Sequence, residues 1–383
     1  MQKEFFLKTS ELKDILNSIQ SICQKKTIIE DTQNCILLFS ENETLIKATD
    51  GETSVEIYLN SYSKSTFNEK IEISVNAKRF FDLIKDLLDE EIKLKIFNES
   101  LLISTNSSKI NLSLSANKPL QEPFSSTENL FSIQKEKFLN MISFCMPLAT
   151  TTASTINSNN IIFFEVDSEN FSATSTDGHS LAHILFPDFK NESLKNFSFS
   201  ISKKAASDLK KILELCPEKR EIIIGKTKNE IVFSNEFFTV YVKILIDKFP
   251  DYKKILKTVD HKNLEIKDEF FLNSLKRLSC MTAGRFIPAK MKVKDGNFLT
   301  FDLENKEIGN IHEEIEISNF IESQGYEISF HPPYLLQAAS SISNQKKSEG
   351  FNLLIQNEKK PLILSHNEPE QKLFYLVMPM ISM

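Results

Sequence analysis

The stretch S-T-D-G-H-S-L-A, residues 175–182, places Asp177 two positions before His179. An acid beside an imidazole is a common way to build a general base, so the stretch resembles part of an active site. The same T-D-G tripeptide occurs at residues 49–51, where Glu52 takes the place of the histidine. Asp-Gly is a favoured dipeptide of β-hairpin turns, and strand-like segments flank both copies. We therefore favour a repeated structural turn and keep a hydrolase using Asp177 and His179 as an alternative.

The two T-D-G tripeptides are separated by close to one third of the 383 residues, and other features recur at this interval. Three amphipathic helices are predicted from apolar residues at helical spacing, namely Leu12, Ile15, Leu16, Ile19 and Ile22; Phe138, Ile142, Cys145 and Met146; and Phe271, Leu275 and Leu278. A strand leading into a second helix is predicted at residues 71–87, 197–213 and 326–342. Hairpins with an Asn-Glu turn are predicted at Asn98, Asn229 and Asn357.

These recurrences predict an α+β protein made of three repeated domains, each with two helices packed on antiparallel sheets. The predicted domains are residues 1–125, 126–255 and 256–383. Each domain is expected to consist of two smaller halves, and each half is a strand, a helix and further strands. A generic repeat scaffold is the second alternative to a specific function.

The composition indicates a soluble globular protein, because 41% hydrophobic and 26% charged residues are ordinary proportions. Five scattered cysteines without a C-x-x-C motif predict neither a metal site nor a disulfide framework, and no cofactor is expected. The N-terminus lacks the apolar segment of a signal peptide, and no apolar run is long enough to span a membrane. We therefore predict a cytoplasmic protein without a membrane partner.

Basic residues on the predicted helices indicate a polyanionic partner, although the net charge is −6. Cations seven residues apart share one helix face, as do Lys78 and Lys85, Lys203 and Lys210, and Lys204 and Lys211. The third domain carries Lys276 and Arg277 on its first helix. A solvated face explains any single helix. Positive helices in all three domains of an acidic chain favour one surface that faces a polyanion.

The C-terminal run L-F-Y-L-V-M-P-M-I-S-M, residues 373–383, is nearly uncharged and apolar. A last core strand explains its first five residues. Met378-Pro379-Met380 extends beyond what a strand needs, and methionine is an adaptable lining for a peptide-binding surface.

The whole chain resembles the bacterial DNA polymerase III β subunit family, the replication sliding clamps. The resemblance rests on the threefold repeat and on four motifs: S-T-D-G-H-S-L-A, K-F-P-D-Y-K-K-I-L from 248, S-V-N-A-K-R-F-F-D-L from 74 and the terminal Y-L-V-M-P-M. It implies a head-to-tail homodimer that forms a six-domain ring around double-stranded DNA and acts as a processivity factor, not as an enzyme. The implied partners are DNA of any sequence, the replicative polymerase α subunit, the clamp loader, repair polymerases and mismatch-repair proteins.

The resemblance also assigns roles to individual residues of this chain. A hydrophobic cleft for short partner motifs is implied at Thr176, Gly178, His179, Ser180, Leu181, Pro250, Ile255, Leu362, Val377, Met378, Pro379 and Met380. DNA-facing positions are implied at Lys26, Lys78, Arg79, Lys203 and Lys204. The dimer contact would pair Lys109, Ile110 and Leu112 of one chain with Cys280 and Met281 of the other. The chain departs from the family at Ser180, where arginine is frequent, at Asn159, where a leucine is expected, in the loop 24–34 and in the tail Ile381-Ser382-Met383.

Overall fold

The computed structural model describes residues 3–23, 30–40, 44–63, 70–115, 127–149, 160–187, 189, 196–245, 249–256, 262–317, 327–346 and 350–380. Within these ranges one order of elements occurs three times: a strand, a helix, four strands, a helix and three strands. The first copy has one additional short strand and a 3-10 helix at Glu30–Gln33, and the third is preceded by one additional helical turn. The predicted α+β fold with repeated copies is therefore confirmed.

The bounds of the elements are as follows. The first copy contains β1 (Lys3–Lys8), α1 (Thr9–Cys23), β2 (Asn34–Phe39), β3 (Thr44–Thr49), β4 (Thr53–Leu59), β5 (Ser61–Ser63), β6 (Ile71–Asn76), α2 (Ala77–Ile84), β7 (Glu91–Ile96), β8 (Ser100–Ser104) and β9 (Lys109–Ser113). The second copy contains β10 (Glu128–Gln134), α3 (Lys135–Cys145), β11 (Ile161–Val166), β12 (Phe171–Thr176), β13 (Ser180–Phe186), β14 (Phe197–Ser202), α4 (Lys203–Leu215), β15 (Glu221–Lys226), β16 (Glu230–Ser234) and β17 (Phe238–Lys243). The third copy contains α5 (Lys253–Leu256), β18 (Lys262–Ile266), α6 (Asp268–Thr282), β19 (Ala289–Lys294), β20 (Phe298–Asn305), β21 (Gly309–Glu316), β22 (Glu327–Phe330), α7 (Pro332–Ser343), β23 (Phe351–Ile355), β24 (Leu362–Asn367) and β25 (Lys372–Val377).

One compact unit comprises Met1–Leu139 and Lys204–Leu245. It contains a five-stranded sheet of order β5-β1-β7-β8-β9 and an eight-stranded sheet of order β10-β15-β16-β17-β4-β3-β2-β6. The larger sheet is continuous across two copies of the repeat because β17 pairs antiparallel with β4. Helices α1 and α2 pack against each other.

The other compact unit comprises Asn140–Lys203 and Ile246–Met383. Its eight-stranded sheet has the order β14-β11-β12-β13-β25-β24-β23-β18, and its four-stranded sheet the order β21-β20-β19-β22. Here β13 pairs antiparallel with β25, so this large sheet also joins two copies of the repeat. Helices α6 and α7 pack against each other.

The helices form where the apolar spacing predicts them. All five predicted apolar positions of α1 are buried, and so are the three predicted positions of α6. Two helix starts follow known end preferences. The Asn76 side chain accepts the backbone N–H of Arg79 at 3.0 Å and so caps α2, and α7 opens with Pro332 and Pro333, where a missing N–H is tolerated.

The two compact units do not follow the copies of the repeat. The strand pairs β17–β4 and β13–β25 draw the two halves of the second copy into different units. Most of the first predicted boundary, near 120–128, lies outside the described residues, whereas most of the second, near 248–262, is described and includes the segment 249–256. The division into domains 1–125, 126–255 and 256–383 therefore stays a prediction.

Candidate functional site

The turn between β12 and β13 is closed by Asp177. One carboxylate oxygen of Asp177 accepts the backbone N–H of His179 at 2.9 Å and that of Ser180 at 2.6 Å. The Thr176 hydroxyl accepts the N–H of Gly178 at 3.1 Å and donates to the carbonyl of Ser180 at 2.7 Å. Gly178 has a φ of 88°, a backbone conformation that residues with a Cβ atom rarely adopt.

The earlier T-D-G copy, between β3 and β4, is built in the same way. Asp50 accepts the N–H of Glu52 at 2.9 Å and that of Thr53 at 2.8 Å, and Gly51 has a φ of 84°. Both aspartates thus serve as acceptors within a turn, as Asx turns require. The turn interpretation of T-D-G is confirmed, and the hydrolase alternative is not favoured.

An apolar cluster lies beside the second turn, on one face of the large sheet. Leu181 on β13 stands opposite Leu376 on β25, which stands opposite Ile363 on β24. These three side chains and the Tyr252 ring are each at most 5% exposed and pack together. Phe249 and other half-buried apolar residues surround the cluster.

The segment 249–256, which contains the P-D-Y motif, is fixed to this face by aromatic packing. The Phe249 ring stacks on Phe163 at a centroid distance of 5.0 Å. The Tyr252 ring contacts Phe163 edge-on at 6.3 Å and lies 5.4 Å from the imidazole of His183. Ile255, in the helical turn that follows, leaves 47% of its surface exposed.

His183 is part of the buried floor. Burial lowers its pKa to about 4, and the positive charge of Lys253 adds to this effect. Its Nδ1 atom lies 2.9 Å from the Thr174 hydroxyl. The imidazole is therefore neutral at neutral pH and acts as a packed, hydrogen-bonded ring.

The other end of the cluster is formed by His179 and the C-terminal segment. The carbonyl of His179 accepts the N–H of Met378 at 2.9 Å, and the N–H of Met380 donates to the backbone carbonyl of Ser329 at 2.7 Å. The imidazole of His179 stacks on Tyr334 with centroids 5.9 Å apart. Phe286 lies 6.4 Å from the same imidazole and is exposed, as is Met378. Exposed apolar side chains thus border a buried apolar floor, which is how peptide-binding surfaces are built.

The structure brings most of the predicted cleft residues together. The T-D-G-H turn, Leu181, Ile255 and Met378 to Met380 border the cluster, and Pro250 belongs to the segment that packs on it. Three predicted residues differ. Ser180, Val377 and Leu362 are buried and form the neighbouring row of the sheet, in which Val377 pairs with Ser180 on one side and with Leu362 on the other. Because side chains alternate along a strand, that row faces away from the cluster.

Sequence reasoning missed five residues of this site, namely Tyr252, Ile363, Leu376, Tyr334 and Phe286. Two of them carried a signal, because Tyr252 lies within P-D-Y and Leu376 precedes V-M-P-M. Asn159 and the tail residues 381–383 lie outside the described residues.

The predicted DNA-facing residues lie at the starts of two equivalent helices. Lys78 and Arg79 are exposed in the first turn of α2, and Lys203 is the half-buried first residue of α4. Lys204 is engaged differently, because its ammonium forms ion pairs with Asp50 at 2.5 Å and Asp208 at 2.7 Å. Lys26 lies outside the described residues.

The Asp50 side chain is fully buried, and the Asp208 side chain is 1% exposed. Burial raises the pKa of Asp50, but the Lys204 ammonium and two backbone N–H groups of the turn outweigh it, so the pKa lies below its usual value. Lys204 therefore bridges two buried carboxylates that come from different copies of the repeat.

The predicted dimer residues lie at sheet edges or beside them. Lys109, Ile110 and Leu112 are on β9, an edge strand of the five-stranded sheet. Cys280 is exposed near the end of α6, and the carbonyl of Met281 accepts a hydrogen bond of 2.7 Å from Asn305 at the end of β20. The adjoining strand β21 is an edge of the four-stranded sheet.

Among the residues that the structure describes, no group of three or more His, Cys, Asp and Glu side chains is placed to hold a metal ion. None of the helices in this part of the chain has the length and apolar character that crossing a membrane needs.

Copies of one α+β unit share sheets edge to edge, and an apolar cleft lies where two copies adjoin. Two sequence families match a chain of this architecture. The N-terminal domain family of the DNA polymerase III beta subunit matches residues 3–118, and its C-terminal domain family matches residues 253–381. The chain therefore belongs to the DNA polymerase III beta subunit family. It is a sliding clamp, an accessory subunit that gives a polymerase processivity.

Individual relatives match along their full length. The beta sliding clamp of Rickettsia bellii is 25% identical over 389 residues, which cover 97% of this chain and 98% of the relative. The crystal structure of a sliding clamp from Pseudomonas aeruginosa bound to griselimycin has a TM-score of 0.87 at 19% identity, with 100% of both chains covered. The DNA polymerase III beta subunit of Thermotoga maritima has a TM-score of 0.86 at 19% identity, again with 100% of both chains covered.

Proposed function

We propose that two copies of this chain close head to tail into a ring around duplex DNA. A rule of strand pairing supports the proposal. The last strand of the second copy, β17, pairs with β4 of the first, and the last strand of the third copy, β25, pairs with β13 of the second. By the same rule, the last strand of the first copy, β9, would pair with β21 of a third copy. Both are edge strands, so a second chain can supply the missing partner.

The predicted dimer residues fit this joint. Lys109, Ile110 and Leu112 are on β9, while Met281 is tied through Asn305 to the turn that leads into β21. The edge backbone would supply hydrogen bonds, and the apolar side chains would be removed from water. In a closed head-to-tail pair the joint would occur twice, with each chain contributing β9 to one joint and β21 to the other.

Duplex DNA would contact the N-terminal ends of α2 and α4, which are the second helices of the first and second copies of the repeat. Lys78, Arg79 and Lys203 lie in the first turns of α2 and α4, where backbone N–H groups also attract phosphate. Contacts to phosphate carry no sequence information, which suits a protein that moves along any DNA. Lys26 is proposed for the same role. Lys204 would act by holding the start of α4 in place rather than by touching phosphate.

The apolar cleft would tether the partners. The proposed partners are the replicative polymerase α subunit, the clamp loader, repair polymerases and mismatch-repair proteins, each docking a short apolar motif. Leu181, Leu376 and Ile363 would form the floor, with Ile255 and Met378 at the rim. On this account the chain has no catalysis of its own and works in the cytoplasm.

Anisotropy of a fluorescent peptide of the Gln-Leu-x-Leu-Phe type tests the cleft. We expect saturable binding, weaker binding by Met378→Ala, and no binding of a peptide whose two apolar residues are replaced by alanine. Ile223→Ala is the matched control because Ile223 is also a partly exposed apolar side chain but lies on β15, in the other unit. Equal binding of both peptides, or equal loss with both variants, would contradict the proposal.

A further inference from the structure

Glu165, on β11, connects the sheet to the segment that borders the cleft. Its two carboxylate oxygens are divided between consecutive residues of that segment. Oε2 accepts the hydroxyl of Tyr252 at 2.9 Å, and Oε1 lies 2.7 Å from the ammonium of Lys253. The Glu165 side chain is 27% exposed and the Lys253 side chain 60%, so the tyrosine bond is the better shielded of the two.

The backbone of the segment depends on Tyr252. The Tyr252 N–H donates to the carbonyl of Pro250 at 2.8 Å. The Tyr252 carbonyl accepts the N–H of Ile255 at 3.0 Å and that of Leu256 at 3.1 Å. Ile255 is the exposed apolar residue at the rim, and Leu256 packs on the buried cluster. A displacement of Tyr252 therefore displaces the rim and part of the cluster.

Tyr252 itself is held by its ring and by its hydroxyl. The ring packs with Leu181, Ile363 and Leu376, and the residue is 4% exposed. A buried tyrosine hydroxyl needs a hydrogen-bond partner, and Glu165 accepts its hydrogen bond at 2.9 Å, while the side chains of Thr174 and Ser172 also interact with the hydroxyl. Burial, with a smaller contribution from the negative charge of Glu165, raises the pKa of Tyr252 to about 12, so the hydroxyl remains a donor at all moderate pH values.

We propose that Glu165 is a positioning residue for the partner-binding cleft, which fixes Tyr252 and thereby sets Ile255 at the rim. Glu165 needs no contact with the bound peptide for this role. The inference rests on the proposed peptide-binding function and adds to it the residue that sets the geometry of one wall.

Glu4 provides a matched control for Glu165. Its carboxylate is also divided between two side chains, with Lys93 and Lys95 each at 2.5 Å, and it is also 27% exposed. It lies on β1, in the other compact unit. Glu4→Ala therefore removes a comparable bridge without touching the cleft.

The test measures peptide affinity by anisotropy for the full chain and for Glu165→Ala, Glu165→Gln, Tyr252→Phe and Glu4→Ala. We expect Glu165→Ala and Tyr252→Phe each to weaken binding about tenfold, which corresponds to one hydrogen bond to a charged group. The loss in the combined variant should be smaller than the sum of the two single losses, because the bond between Tyr252 and Glu165 is removed by both substitutions. Glu165→Gln, whose amide oxygen still accepts the hydroxyl, should restore most of the affinity, and Glu4→Ala should bind normally.

Hydrogen exchange at the amides of Ile255 and Leu256 provides a second readout that needs no ligand. These amides should exchange faster in Glu165→Ala, while the melting temperature changes no more than in Glu4→Ala. Unchanged affinity and unchanged exchange in Glu165→Ala would overturn the positioning role. If the unsubstituted chain fails to bind the peptide, the proposed function fails, and the exchange rates still decide whether Glu165 positions the segment.

Discussion

Leu181 and Leu376 stand directly opposite each other on β13 and β25, and this pair joins the second copy of the repeat to the third. Their side chains share a face with Ile363 and form the buried floor of the cleft. Because the floor spans a strand pair that joins two copies, formation of the joint and formation of the binding surface are one structural event.

The turn aspartate next to the cleft should be structural. Asp177→Ala removes the acceptor of two backbone N–H groups, so we expect a loss of about 1–2 kcal/mol in the free energy of unfolding and weaker peptide binding. Asn235→Ala is the control, since Asn235 accepts the N–H of Phe237 and Phe238 in a similar turn of the other unit. It should lose similar stability and keep peptide affinity. Urea unfolding and anisotropy measure both, and hydrolytic turnover that disappears in Asp177→Ala would refute this assignment.

Neighbouring lysines at the start of α4 should behave differently. Lys204→Met leaves two buried carboxylates without their cation, so we expect a loss of about 2 kcal/mol in unfolding free energy, less than for a fully buried pair because Lys204 is one-third exposed. Lys203→Ala should leave stability unchanged and reduce the slope of log affinity for duplex DNA against log salt by about 1. Similar stability losses in both variants would contradict the assignment.

His183 should make stability depend on pH in a defined window. Its pKa is about 4 in the folded chain and 6.5 when unperturbed, so the unfolded state binds the proton more tightly. The contribution, about 3 kcal/mol, is complete above pH 6.5 and is lost as the pH falls towards 4. His331, whose pKa is also lowered by burial, acts in the same direction.

Thermal melting from pH 7.5 to 4 checks this dependence. His183→Gln, which keeps a hydrogen-bonding group near Thr174, should flatten the decline between pH 6.5 and 4. An unchanged decline in the variant would show that His183 does not cause it.

The edge strand β9 should carry the dimer. Ile110→Asp places a charge at the proposed joint and should raise the dissociation constant of the dimer by roughly thirtyfold or more, the effect expected for an interface hot spot. Ile223→Asp introduces the same charge on β15, which is flanked by strands on both sides, and should leave the dimer intact. Sedimentation velocity over a concentration series gives both constants. Equal dissociation constants for the two variants would show that β9 does not lie at the dimer interface.

Local features of the fold could be predicted from the sequence because local chemistry determines them. The two T-D-G turns need an acceptor side chain and a glycine at positive φ, and the pattern shows both. The apolar stripe of α1 likewise predicts which residues are buried.

The remaining features depend on contacts between distant segments. The pairing of β17 with β4 and of β13 with β25 leaves no local mark in the sequence. Adjacent residues of a strand point to opposite faces of the sheet, so a prediction that is off by one residue selects the wrong face. The sequence predicts Val377 in the cleft, whereas the structure has Leu376 there. The partners of Lys204 include Asp50, from another copy, and only the fold brings them together.

Retention on DNA tests the central claim most directly. The chain is loaded onto a nicked circular plasmid with a clamp loader and ATP, separated from free protein by gel filtration, and assayed before and after the plasmid is cut once. A ring linked topologically to DNA should remain on the circle at high salt and leave once the DNA has ends. Equal retention on circular and linear plasmid, or release from the circle at high salt, would contradict the clamp account.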